Sequence, residues 1–272
     1  MGRRQLIVNA DDFGFAHDVN RGIIEAHTNG ILTATTLMAN GPAFGDAVRL
    51  AREYPTLDVG CHLVLIQGPS LARRGANLPR TLSELLTLLC LGRIDPYEEL
   101  RPQVEHIFDA GIRPLHLDTH KHTHLWPRVL DAVARLSAEF RIPWVRRPFD
   151  IPLQAGAVPW SKRAVSRAAA LMTARFEWKL RSRGCRMTDH FAGFQLTGRF
   201  RAGELAALIR GLPEGSTEFM CHPGRCTDEL MGCATRLKQS REMELEALTS
   251  PEVRRAIEDS GVQLVRYRDL ST

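Results

Sequence analysis

No uninterrupted apolar run in this chain approaches the ~20 residues that a membrane-spanning helix needs, and the mean hydropathy is −0.19. An integral helical membrane protein is therefore excluded. No CxxC pair occurs either. The six cysteines (Cys61, Cys90, Cys185, Cys221, Cys226 and Cys233) are scattered, and the spacings of five and seven in the last three match no common zinc motif. The start, Met1-Gly2-Arg3-Arg4, meets only a few apolar residues before Asp11 and Asp12, short of the roughly 7–15 that a secretory signal carries. Gly2 lacks the Ser or Thr at position 6 that myristoylation wants, since Leu6 stands there. The expectation is a cytoplasmic protein with reduced thiols. Internal repeats and recognised nucleic-acid motifs are also missing.

What is there fits a soluble globular chain. The 272 residues suit one large domain or two small ones, and we expect a single domain over 1–272. A hydrophobic share of 44% with 25% charged residues is ordinary for a globular chain and excludes disorder of the whole. The net charge of +5 is compatible with nucleic acid or an anionic membrane, but at this size it reads first as solubilising charge.

Strand-like runs alternate with helix-like ones. Strands are expected at 5–9, 32–38, 57–65, 114–119, 143–147, 189–192, 217–221 and 262–267. Helices are expected at 18–27, 43–53, 81–91, 96–110, 127–140, 159–183, 202–210 and 236–259, the last broken at Pro251. Such alternation argues for parallel strands joined by crossovers. Eight units in this length predict an α/β fold of the (β/α) barrel type, TIM-barrel-like and open to distortion, with a doubly wound open sheet as the alternative. The irregular stretch from Gln67 to Pro79 has the length of a functional lid.

Position makes the polar residues informative. Asp11 and Asp12 follow the first strand, His62 lies in the third, His120 ends the fourth, Arg147 the fifth and His222 the seventh. Parallel α/β folds build their sites at such strand ends. In Asn9-Ala-Asp-Asp-Phe-Gly14 two adjacent carboxylates need a cation or a proton to offset desolvation. Strand alternation would point them to opposite faces and give them different roles, although either could instead cap the next helix. His116-Leu-Asp-Thr-His-Lys-His-Thr-His124 holds four histidines in nine residues, in a chain with ten. Period two puts His116, Asp118 and His120 on one side, at spacings that suit a divalent ion. Asp12, His62 and His120 together make a set of two imidazoles and one carboxylate with open positions, as catalytic metal sites have. Asp118 could orient a ligand imidazole through its other nitrogen.

The stretches Asn9-Ala-Asp-Asp-Phe-Gly14, Gly60-Cys-His-Leu63, His116 to His124 and Cys221-His-Pro-Gly224 resemble the YdjC-like carbohydrate deacetylases, a family that includes chitooligosaccharide and hopanoid-biosynthesis-associated deacetylases. The resemblance runs in order along nearly the whole chain. It includes Ile31-Leu-Thr-Ala-Thr-Thr36, Val145-Arg-Arg-Pro148 and Ser240-Arg-Glu-Met-Glu-Leu-Glu-Ala-Leu248. Cys61, Thr119 and Lys121 depart from common members; the ligand positions do not. The resemblance implies a barrel-like fold and divalent-metal-dependent removal of an N-acetyl group from an amino sugar, lipid-linked in one branch. It makes Asp12, His62 and His120 the metal ligands, Asp11 the general base and His222 the general acid. Mg²⁺ and Zn²⁺ are the first choices; Fe²⁺, Co²⁺ and Mn²⁺ also suit the donors.

Arg147 could hold a sugar hydroxyl or an oxyanion, or form a strand-end salt bridge, whereas Arg146 should point elsewhere. His124 is expected to support the site rather than bind metal; His116, His122 and His190 have no assigned role. The basic segment 157–187 carries eight cations against Glu177, with interleaved apolar residues. It reads as a solvated helix face or as a contact for an anionic membrane surface. Another metal-dependent hydrolase or lyase acting on a carbohydrate at the same site is the main rival. No nucleic-acid partner is expected, and a homodimer is the default assembly.

Overall fold

The first strand, β1 (Arg4–Phe13), is the organising element of a computed structural model that describes residues 2–151 and 160–270. It pairs in parallel with β2 (Ala34–Leu37) on one side and with β7 (Gly215–Cys221) on the other. The path continues through β3 (Asp58–Leu63), β4 (His116–Thr119) and β5 (Trp144–Val145) on the β2 side, and through β6 (His190–Ala192) beyond β7. Single parallel bridges, Trp144 to Arg186 and Asp150 to Phe191, link the two edges. The result is a curled, distorted (β/α) barrel, and not the alternative open doubly wound sheet.

Each expected strand forms. The eighth differs in kind: β8 (Gln263–Leu264) is two residues long and joins β1 off the seven-strand path. The chain enters it from Gly261 in the left-handed conformation and leaves it within two residues. A run that short completes no stave.

Helices fill the crossovers: α1 (His17–Thr28), α2 (Phe44–Glu53), α3 (Leu82–Cys90), α4 (Pro96–Asp109), α5 (Pro127–Phe140) and α8 (Ala202–Arg210). The helix expected over 159–183 is two helices, α6 (Trp160–Ala170) and α7 (Thr173–Arg181); position 159 lies outside the described residues. Pro251 divides α10 (Gln239–Thr249) from α11 (Pro251–Ser260), with the Ser250 hydroxyl accepting from the Glu252 amide. A short α9 (Asp228–Gly232) was not foreseen; Asp18 builds its start by accepting from the Thr227 and Leu230 amides. No described helix is long and apolar enough to cross a membrane. The stretch 67–79 is tied down rather than loose: Gln67 donates to the Pro79 carbonyl, Pro69 bridges Asn77, and Ser70 bonds the buried Glu99.

Alternation along the strands sorts side chains into two environments. Leu6, Val8 and Ala10 of β1 join Val59, Cys61, Leu63, Leu117, Val145 and Phe219 in the apolar layer under the helices. The opposite parity faces the barrel axis. A small apolar plug of Ile7, Ala34, Trp144, Tyr267 and Leu270 fills its floor. Above it stand Asn9, Asp11, Thr36, His62, His116, Asp118, Arg146 and Glu218, all buried.

Two glycines permit this packing. A Cβ at Gly60 would sit 2.6 Å from the His116 ring, and one at Gly22 of α1 would sit 2.3 Å from the Gly224 Cα. Gly22→Ala is therefore expected to cost ~2–3 kcal/mol as overpacking, and to shift the loop that carries His222. A urea midpoint unchanged in that variant would refute the close-approach account.

Candidate active site and metal centre

A register shift in β1 between Ala10 and Phe13 changes what the Asp pair does. Asp12 takes a left-handed φ of 71°, a strained conformation for a side chain other than glycine. The expected opposition of Asp11 and Asp12 is thereby undone, and both buried carboxylates turn into one polar cluster at the strand ends. Their partners still differ. Asp12 faces imidazoles, and Asp11 faces a guanidinium.

Asp12 Oδ1 lies 3.3 Å from His62 Nε2 and 3.1 Å from His120 Nδ1, and the two nitrogens are 3.2 Å apart. Three donor atoms thus form a nearly equilateral triangle. Bonds of ~2.1 Å to one ion would space such donors about 3.0–3.4 Å apart, so the residues fit a single divalent cation. Asp118 Oδ1 receives the other His62 nitrogen at 2.7 Å, and Thr36 donates to Asp118 Oδ2 at 3.1 Å. This fixes the His62 ring so that Nε2 is the atom presented to the ion. Arg241 of α10 holds the remaining Asp12 oxygen at 2.5 Å. A second group, Asp11, His62 and Asp118, also has ligand-like spacing. Its centre already contains the Arg146 guanidinium, which makes it a poor cation site.

Arg146 is the hub of the interior. Its Nη1 and Nη2 donate to both Asp11 oxygens at 2.8 and 2.7 Å, Nη1 lies 2.7 Å from Asp118, and Nε donates to Glu218 at 2.7 Å. Arg146, expected to point elsewhere, points inward, and Arg147 takes the salt-bridge alternative of its two expected roles rather than the substrate contact. Arg147 pairs with Glu177 of α7 at 2.5 Å and donates to the Phe149 carbonyl. Parity explains it, because Arg146 follows Trp144 on the axial face whereas Arg147 continues the helix-facing row of Val145.

The charges shift one another strongly. Burial pushes the Asp11 carboxyl up, but Arg146 and the His62 and His222 imidazoles outweigh it and hold the group well below the carboxylate range. Burial is likewise overcome at Asp12 by Arg241, His120 and His62. Burial lowers His62, yet Asp118 more than compensates and raises it to about 10. Burial lowers His222 to about 4 despite the nearby Asp11 and Asp12.

His222 Nε2 stands 3.9 Å from Asp11 Oδ2, and its backbone amide donates to Glu244 of α10 at 2.6 Å. The structure therefore brings Asp11, Asp12, His62, Asp118, His120 and His222 together. His124 lies behind them, with Nδ1 2.5 Å from the Thr119 hydroxyl and Nε2 3.2 Å from the Arg146 carbonyl. His116 Nε2 donates to Asn9 Oδ1 at 2.8 Å, and the ring stacks on Tyr267. His122 sits against Phe191 and Phe194, and His190 reaches the Glu214 carbonyl away from the site. Sequence reasoning missed Arg146, Glu218, Arg241 and Glu244. The last two share one face of α10 at a spacing of three, a signal visible in the tail motif.

Three buried imidazoles, His116, His124 and His222, and the half-buried His122 are depressed chiefly by burial, His124 to about 3. A depressed histidine binds its proton more tightly when unfolded, so its contribution is present above 6.5 and lost as pH falls through the folded value. Stability should drop between pH 6.5 and about 3, with His124 alone accounting for on the order of 5 kcal/mol. His62 does not confound this window, because its raised value costs stability only toward pH 10. Urea melts of His124→Gln should show a flatter acid slope; an unchanged slope would sink the assignment.

Comparison with known proteins places the chain in a family. The chain matches the profile described as YdjC-like protein over residues 5–259. It belongs to the YdjC-like family. It is 34% identical to a carbohydrate deacetylase of Brevibacillus brevis, over 98% of this chain and 99% of that one. With a chitooligosaccharide deacetylase of Salmonella schwarzengrund it shares 33% identity over 98% and 99%. A crystal structure from Enterococcus faecalis V583, whose name refers to cellobiose-phosphate cleavage, superposes with a TM-score of 0.75 at 25% identity and covers 99% of this chain and all of that one. The relatives support a deacetylase hydrolase acting on carbohydrate.

Proposed function

We propose that this YdjC-like protein is a divalent-metal-dependent N-deacetylase that releases acetate from an N-acetylated amino sugar. The observation that carries the reading is the Asp12–His62–His120 triangle, with sides of 3.1–3.3 Å, set beside the Asp11–His222 pair at 3.9 Å. Its relatives' names supply the substrate class.

Asp12, His62 and His120 would hold the ion, Zn²⁺ or Mg²⁺ by donor chemistry. When bound, such an ion activates water and polarises the amide carbonyl. The chain's own groups handle the proton. Asp11 is ionised across the neutral range and accepts the proton of the attacking water. His222 is neutral in the free protein and takes that proton on Nε2 through one water bridging the 3.9 Å between it and Asp11. It then passes it to the nitrogen as the C–N bond breaks. Water and amide become acetate and the protonated amine, with no proton left over. Arg146 keeps Asp11 in place, and Arg147 has no part.

The test is acetate release from N-acetylglucosamine, chitobiose, longer oligomers and a lipid-linked glycoside, each with added metal and with chelator. Chelator-sensitive release that disappears in Asp12→Asn establishes the reading. The likeness to the Enterococcus faecalis protein favours the second reading, another metal-dependent cleavage of a carbohydrate. Loss of a cellobiose-type substrate without acetate would move the assignment there.

A further inference from the structure

Among the described residues nine large apolar side chains are exposed, and five of them, Trp160, Val165, Leu171, Met172 and Trp178, lie on α6, α7 and the two-residue link between them. Leu171 is 88% exposed, Trp160 82% and Trp178 68%. Side chains this exposed gain nothing for the stability of the chain itself, and their concentration on one helix pair marks a contact surface.

The face is also cationic. Lys179 and Arg183 share one acid, Asp131, and Arg147 and Arg181 share another, Glu177. Arg167 and Arg175 form no ion pair among the described residues. Leu171, Met172 and Trp178 line an apolar groove of about 290 Å³, together with Leu125, Leu130 and Arg175. Leu125 ends the turn that begins at the candidate ligand His120.

We propose that the α6–α7 face docks on an anionic phospholipid bilayer. Exposed indoles on the two helices and an exposed leucine at their link suit the headgroup boundary, and the surplus guanidinium charge suits acidic lipids. A nucleic acid would use the charge but leave Leu171, Met172 and the groove without a role. This inference rests on the surface alone and does not depend on the deacetylase reading.

The experiment is co-sedimentation of the full chain with vesicles of phosphatidylcholine, with and without 30 mol% phosphatidylglycerol, at physiological salt. The expected preference for the anionic vesicles is at least about tenfold. L171S/W178S and R167E/R175E should each lower binding by about tenfold, with far-UV melting curves guarding against misfolding. Equal binding to both vesicles, or wild-type binding by L171S/W178S, would overturn the proposal. So would a wild-type dimer that L171S/W178S dissolves, which would show a second copy on this face. RNA displacing the vesicles at equal charge would overturn it as well. Because vesicle binding is read without substrate, its failure is distinct from failure to release acetate.

Discussion

His120→Ala is expected to abolish acetate release and to leave the protein folded. His120 is the one candidate ligand at the mouth of the barrel, with its side chain 18% exposed against 1% for His62 and 4% for Asp12. Its loss opens no cavity in the core, yet it removes one of three donors. Asp118→Asn gives the internal scale, because weakening the group that orients His62 should lower metal affinity by roughly 10–100-fold. His120→Ala should exceed that, and calorimetric titration with Zn²⁺ or Mg²⁺ should show no saturable site. In the free wild-type protein His62 holds a proton up to about 10, so the ion must displace it. Apparent affinity should accordingly rise by about tenfold per pH unit from 6 to 8. Full activity after chelation, or in His120→Ala, would remove the metal from the mechanism.

The barrel was legible because its two signals are local. Strand and helix periods alternate along the chain, and the polar residues fall at strand ends. The candidate ligand set could be read for the same reason: His62 lies on β3, and His120 directly follows the neighbouring β4. Three features were hidden. The slip in β1 that turns Asp12 into the same cluster as Asp11 depends on the left-handed φ at Asp12, which no composition signals. The choice between Arg146 and Arg147 turns on parity, and β5 is only two residues long, too short for periodicity to reveal. Counting from Trp144, whose bulk fills the barrel floor, would have selected Arg146. Arg241 reaches Asp12 from a helix 229 positions later, a contact that only the closed barrel creates.

Arg146→Met should be the most damaging substitution in the protein. Arg146 is fully buried and faces Asp11, Asp118 and Glu218, so its removal leaves three carboxylates around an apolar thioether. Breaking a buried pair typically costs about 3–5 kcal/mol, because the surviving charge stays desolvated. Part of that cost can be avoided if a carboxyl takes a proton. Glu218 is the readiest to do so, since burial already raises it despite Arg146. Asp11 would follow. Its low value depends first on Arg146 opposing burial, with His62 and His222 contributing less. The sign is then determined: without Arg146 the Asp11 carboxyl moves up, and the acid limb of kcat/KM moves toward neutral pH. Arg146→Lys separates charge from geometry. An ammonium restores a positive charge but cannot place paired donors on Asp11 while reaching Glu218. It should recover part of the stability lost in the methionine variant and less of the activity. Wild-type urea midpoints together with an unmoved acid limb in Arg146→Met would mean that the interior cluster neither supports the fold nor tunes the base. The proton route from Asp11 to His222 would then need another anchor.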